Sequence, residues 1–151
     1  MITAQNLPEW WIKTTLEEAA DFSQWLQVPT EKQESIKKDW YVRFVRIVDY
    51  TNDFEIPRYI KNPGGDRYVA DINDIVMIRY WSQTAWKVVR WIEWIIANNT
   101  FKIVPKLEID KNWFYWLLQQ KTIYQMLNKD QSSSTMPSVN FSQVGRIQIL
   151  L

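Results

Sequence analysis

Residues 71–105, DINDIVMIRYWSQTAWKVVRWIEWIIANNTFKIVP, decide the fold class. Residues 75–80, 87–90 and 100–104 are rich in β-branched side chains, and Ser, Thr or Asn bounds each run, which is the pattern of strands joined by polar connections. The spacing predicts a hairpin meander of strand, loop, strand, turn and strand. Its tip, residues 81–86, places Ser82, Gln83 and Thr84 between the cations Arg79 and Lys87. Such a loop suits nucleic acid, because base edges are read by paired donors and acceptors while phosphates are held by cations.

Working outward, residues 41–47 (YVRFVRI) alternate with period two, predicting a half-buried strand with Arg43 opposite in phase to Phe44 and Arg46. Residues 11–14 read as a short extended segment. Thr15-Leu16-Glu17-Glu18 has the spacing of a capping box, so a short helix is expected through Phe22. Residues 29–39 read as an exposed loop, 49–53 as a turn, 57–68 with Pro63-Gly64-Gly65-Asp66 as a longer loop, and 131–135 as a Ser-rich loop. Residues 110–128 carry the clearest helical pattern, with Trp113, Trp116, Leu117, Ile123, Met126 and Leu127 at helical spacing. Residues 139–142 lead into a last apolar strand, 147–151. The expectation is an α+β domain with a twisted, mixed or antiparallel sheet and a supporting C-terminal helix.

With 151 residues, 46% of them apolar, the chain fits one domain with a real core. There is no run of 18 apolar residues and no charged-then-apolar opening segment, so neither a membrane span nor secretion is indicated, and a cytoplasmic setting is expected. The absence of Cys removes disulfides and thiolate metal sites; the absence of His removes the commonest general base and zinc ligand. The net charge of +1 is uneven: residues 1–36 hold two Lys against six acids, whereas residues 37–90 hold ten Lys or Arg against seven. The basic surplus therefore coincides with the meander and the strand before it. No Lys has an acidic residue two positions before it, as a Mg²⁺ nuclease of that type needs, and neither a Gly-rich cofactor loop nor a methyltransferase pocket motif occurs. No catalytic set, cofactor or metal is expected. Asp49, Asp53, Asp71 and Asp74 are the best carboxylate candidates, and capping of local backbone is the ordinary role of Asp at such places.

Ten Trp beside three Gly inverts normal usage. Trp10, Trp25, Trp40, Trp81, Trp86, Trp91 and Trp94 mostly stand where turn chemistry calls for glycine, and exchanging those seven would bring both counts near ordinary values. Some bacteria read UGA as glycine, whereas a common alternative code reads it as tryptophan, so the expectation is that these seven codons are UGA. They should then occupy loops or element ends with substantial exposure, or backbone conformations that Trp dislikes, while Trp11, Trp113 and Trp116 should be packed. The competing reading takes the Trp residues as a carbohydrate-binding face or as platforms for stacked bases.

Several ordered motifs resemble one family: Leu7-Pro8-Glu9-x-Trp11, Tyr41-Val42-x-Phe44-x-Arg46-x-x-Asp49, Asp74-Ile75-Val76-Met77 with Arg79, Lys87-Val88, Ala97-Asn98-Asn99-x-Phe101-x-Ile103-x-Pro105, the helix over 114–127, and Ser138-Val139-Asn140-Phe141-Ser142. Together they look like a target-recognition domain of a type I restriction-modification specificity (S) subunit, and the resemblance spans nearly the whole chain. In that family glycines stand where Trp10, Trp81 or its neighbour, Trp86, Trp91 and Trp94 stand here. The resemblance implies residues 1–151 as one DNA target-recognition domain, the N-terminal half of a longer subunit, ending before the family's spacer helix. It implies sequence-specific reading of one half of a bipartite site in double-stranded DNA, without catalysis, alongside methyltransferase and restriction subunits. On that reading Arg43, Arg46, Arg58, Lys61 and Arg67 position phosphates, while Arg79, Tyr80, Ser82, Gln83, Thr84 and Lys87 face base edges. The competing role for Arg46 is a structural cation on the sheet face, and for Asn98-Asn99 it is turn capping.

Overall fold

In the computed structural model the described residues are 11–23, 26–66, 68–79, 86–90, 93–97, 99–106, 108–128 and 141–151. The strands are β1 (Lys13–Thr15), β2 (Ala20–Ser23), β3 (Tyr41–Val45), β4 (Arg58–Lys61), β5 (Val69–Ala70), β6 (Ile75–Ile78), β7 (Val88–Val89), β8 (Trp94–Ile96), β9 (Thr100–Pro105) and β10 (Gln148–Leu150). The helices are α1 (Leu16–Ala19), α2 (Lys111–Leu118), α3 (Lys121–Asn128) and α4 (Phe141–Gly145). One four-stranded sheet has the order β2-β9-β6-β7 and a second the order β4-β3-β8-β5, while β1 pairs with β10. Every pair is antiparallel except β3 with β8, so the expected α+β class with mixed pairing is what the chain adopts.

The meander is only partly as its spacing predicts. β6 and β7 form the expected hairpin, but β9 pairs with β6 rather than with β7. Between them β8 leaves for the second sheet, where it lies parallel to β3 through Phe44↔Ile95 and Val45↔Ile96. This places β6 at the centre of the molecule and explains its unbroken apolar sequence IVMI, since a strand covered on both faces has no solvent side to mark with polar residues. Ile75 and Met77 enter the main core, whereas Val76 on the opposite face meets Ala70, Tyr50 and Val89. On β9 the same alternation sends Phe101 and Ile103 into the main core. The second sheet has its own smaller core of Phe44, Ile60, Ile95 and Ala97.

The main core is closed by the helices. Phe114, Leu118, Ile123 and Leu127 all join it, and Phe22, Phe101 and Phe141 form an aromatic cluster with centroids 5.2–6.0 Å apart. Residues 110–128, expected as one helix, are two. Asp110 caps α2 by accepting from the Trp113 amide at 2.8 Å, and Gln119 and Gln120 end it by donating side-chain bonds to the Tyr115 and Trp116 carbonyls. Trp113 and Trp116, expected in the core, are 43% and 62% exposed, and Trp11 is 41% exposed. The reason is helical phase: Phe114 and Leu118, four residues apart, take the inward face, and Trp113 and Trp116 lie on another.

Three other local expectations are corrected. The capping helix stops at Ala19 instead of running to Phe22, because Ala20–Ser23 pairs with β9 in the register Ala20↔Pro105 to Ser23↔Lys102. Residues 57–68, expected as loop, contain β4, whose Ile60 fills the second core. The strand expected over 41–47 ends at Val45, since the Arg46 amide donates to Asp49 Oδ2 at 2.7 Å and starts a 3₁₀ turn over Ile47–Tyr50. The Ser-rich loop at 131–135 lies outside the described residues.

Candidate nucleic-acid interface

Three connections meet at one end of the molecule. The β6–β7 loop is closed at its base by Trp86 N donating to Ile78 O and Ile78 N donating to Lys87 O, both at 2.9 Å. Next to it, the Arg79 amide donates to Asn99 O at 2.7 Å, which ties that loop to the β8–β9 turn. The turn itself is held by the amide and hydroxyl of Thr100, both bonding the Ala97 carbonyl at 3.0 Å. Ala97 N in turn donates to Val45 O at 2.9 Å, bringing up the end of β3 and the β3–β4 connection, residues 46–57.

The sequence-predicted site residues distribute unevenly about this end. Arg58 stands in register with Phe44, itself opposite Ile95, and so lies at the end where β8 turns into β9. Arg79 and the exposed Lys87 flank the β6–β7 loop. Lys61 is exposed but pairs with Tyr41 at the far end of β4, about 10 Å along the strand from Arg58 at the usual rise of ~3.3 Å per residue. Arg67, Tyr80, Ser82, Gln83 and Thr84 lie outside the described residues, as does Asn98.

Arg43 and Arg46 are bound inward. Arg46 Nε is 3.1 Å from Asp49 Oδ2, its Nη2 reaches Glu55 Oε1 and the Ile56 carbonyl at 3.0 Å, and Arg43 Nη2 lies 3.6 Å from Asp49 Oδ1. The Asp49 side chain has no exposure, so the two guanidiniums balance a buried carboxylate and staple the 46–57 connection to β3. This geometry gives Arg46 the structural-cation role. Beside it the hydroxyl of half-buried Tyr50 is shielded from solvent, and this desolvation together with the Asp49 charge pushes its phenol upward, away from ionisation.

Two polar hubs dock α2: Asp74 caps local backbone as Asp at such a place ordinarily does and adds ion pairs, and Arg90 forms the second. Asp74 accepts from the Asp71 amide at 3.0 Å and from Lys111 Nζ at 2.9 Å, with Lys102 Nζ at 3.3 Å. Burial alone would raise its carboxyl, yet the amide and the two ammonium groups outweigh that and hold it below the ordinary range. Arg90, 5% exposed, donates to Asn112 Oδ1 at 2.8 Å and to the Lys111 carbonyl at 2.6 Å, with its guanidinium 4.3 Å from the Tyr115 ring centre. Both hubs dock the start of α2 against the strands. The available signal was weak: an Asp entering a strand and an Arg ending one, with their partners 21 to 37 residues away. Among the described residues no group of three or more Asp or Glu is placed to hold a metal.

Solved structures share this fold over the length of the chain. The HsdS subunit from Thermoanaerobacter tengcongensis superposes with a TM-score of 0.69 at 14% identity, covering 99% of this chain and 35% of that one. The chain has the fold of part of a type I specificity subunit. A chain from a type I R-M system, solved to explain complex assembly and conformational transition, gives 0.71 at 16% identity, and the S subunit from M. genitalium gives 0.62 at 17%. Each covers all of this chain, which spans about a third (36%) of their length. No family model and no curated protein matches the sequence. The family resemblance carried by the motifs and the fold thus agree, although so few residues are shared.

Proposed function

We propose that this chain reads one half of a bipartite duplex DNA site as the non-catalytic specificity component of a type I restriction-modification complex, working with methyltransferase and restriction subunits. The observation that carries the reading is the convergence of three connections at one end of a scaffold with the fold of type I specificity subunits, with Arg58, Arg79 and Lys87 at that end. A reader of base edges needs variable polar side chains held by a rigid frame, with cations beside them for phosphates. Ser82, Gln83 and Thr84 supply the polar side chains in the β6–β7 connection. Arg46 drops out of the phosphate set because Asp49 and Glu55 already engage it. Residues 1–151 act as one target-recognition domain. No helix among the described residues is long and apolar enough to cross a membrane. A cytoplasmic setting follows from the function proposed.

Anisotropy titrations on a randomised-site duplex library test this reading. Binding should weaken steeply with salt, by roughly 0.9 in log K per log salt for each phosphate neutralised. Arg58→Ala should weaken all sequences alike and reduce that slope by about one, whereas Gln83→Ala should relax preference at one base pair by about 1–3 kcal/mol. Salt-independent binding to oligosaccharides, with no DNA binding, would instead favour stacking on the exposed Trp113 and Trp116.

A further inference from the structure

We infer that positions 40 and 86 are glycine positions, and that the protein as its own cell translates it carries glycine at both, from UGA codons. Among the described residues four have a left-handed backbone: Gly64, Gly65, Trp40 with φ 66° and Trp86 with φ 69°. A bulky side chain there is an outlier, because the β-carbon crowds the following carbonyl, and Asn and Asp are the usual exceptions after Gly. Here both exceptions are Trp, and both are among the seven Trp residues that sequence context marks as misplaced.

Each position does a job that glycine does elsewhere. Tyr41 N donates to Lys38 O at 3.1 Å, so Trp40 is the third residue of a four-residue turn, where a positive φ calls for Gly. Its indole is 86% exposed, so packing offsets little of the strain. At the other site, Ile78 O accepts from Trp86 N while Ile78 N donates to Lys87 O, both at 2.9 Å. Two residues thus face one across the hairpin, with the first of them left-handed, which is the bulge whose first residue is characteristically Gly. Trp86 is 3% exposed and packs in the main core, so its indole is accommodated there even though its backbone is the wrong one for it. This bulge ends the β6–β7 connection, so the residue at 86 sets how the chain re-enters the sheet at β7.

The coding sequence and the protein together test the inference. Codons 40 and 86 should be TGA, and peptides from the protein purified out of its own cell should carry glycine at both positions by mass; TGG at either codon, or tryptophan in either peptide, overturns it. The conformational basis is tested separately by comparing Trp40→Gly with Trp40→Ala, and Trp86→Gly with Trp86→Ala, by urea unfolding. At each site both variants lack the indole, and only the alanine keeps the β-carbon strain. The Gly variant should therefore have the larger folding constant, about two- to fivefold, after the greater unfolded-state freedom of Gly is set against the strain relieved. Alanine as stable as glycine at either site, or more so, refutes the glycine requirement there.

Discussion

Replacing Asp74 by Asn removes one negative charge from beneath two ammonium groups while keeping the shape of the side chain. The Asp71 amide still finds an oxygen, so the loss is that of the ion pairs with Lys111 at 2.9 Å and Lys102 at 3.3 Å. Stranding a fully buried charge costs about 3–5 kcal/mol. Here Lys111 is 44% exposed and returns to water, and Lys102, 16% exposed, keeps its 2.6 Å bond to the Val69 carbonyl. Discounting for that solvent access and remaining partner gives about 2 kcal/mol, or ~4–8 °C in Tm for a chain of this size. Urea unfolding at pH 7 should show a lower midpoint with an unchanged slope. The pH dependence carries the sign: the folded-state pKa of Asp74 lies below its ordinary 3.8, so its contribution is present above that value and fades as pH falls through the folded pKa. The gap between wild type and Asp74→Asn should accordingly narrow below about pH 4 as the wild-type carboxylate takes up its proton. A gap under ~0.5 kcal/mol at pH 7, or one that stays constant as far down as both proteins remain folded, would refute the reasoning.

Helix phase makes a contrast within one turn of α2. Phe114→Ala should cost about 3–5 kcal/mol because its ring is fully buried, while Trp113→Ala next to it, 43% exposed, should cost well under 1 kcal/mol; urea midpoints measure both. Tyr50→Phe should leave thermal stability unchanged or raise it by up to about 1 kcal/mol, since the buried hydroxyl has no hydrogen-bond partner among the described residues and only its desolvation is lost.

The strands most legible in the sequence were those with a period to read. β3 shows alternation, β6 and β9 are rich in β-branched residues between polar bounds, and all three formed close to where expected. β4 was hidden because only Ile60 among its four residues is buried, so it pairs as an edge strand without an apolar signature. β8 has no readable signature for the opposite reason: its run WII falls where the spacing predicts a turn, and its partner β3 lies some fifty residues earlier in a parallel pairing that local pattern cannot reveal. Helix phase at Trp113 and Trp116 failed because an apolar residue on a helix need not be inside; the buried stripe is set by Phe114 and Leu118, and only packing distinguishes the two faces. Of the candidate site, Arg58 and Lys87 are singled out by residue type and position, and both lie toward the end where the three connections meet. The inward turn of Arg46 could not, because it depends on Asp49 being buried.

Burial also orders the parts of the molecule by what can change. Among the described residues the two four-stranded sheets and the helices are held by Phe101, Phe114, Leu16 and Ile75 in one core and Phe44 and Ile95 in the other, contacts that tolerate little substitution. Among the described residues the three connections at the shared end are held by the bonds around Ile78, by Arg79 to Asn99, and by the Asp49 staple. Connections carried on a packed frame can exchange their residues, and with them specificity, without refolding. Residue 86 is the first residue of the bulge that ends the β6–β7 connection, and a bulge bends the strand that carries it. Glycine reaches this conformation without strain, whereas tryptophan holds it with its indole in the main core. If the loop reads DNA, Trp86→Gly should therefore alter preference at every base pair the loop contacts, and Gln83→Ala at one. Libraries bound by the two variants would distinguish a change of aim from the loss of one contact, and identical preferences for Trp86→Gly and wild type would show that the bulge residue does not direct the loop.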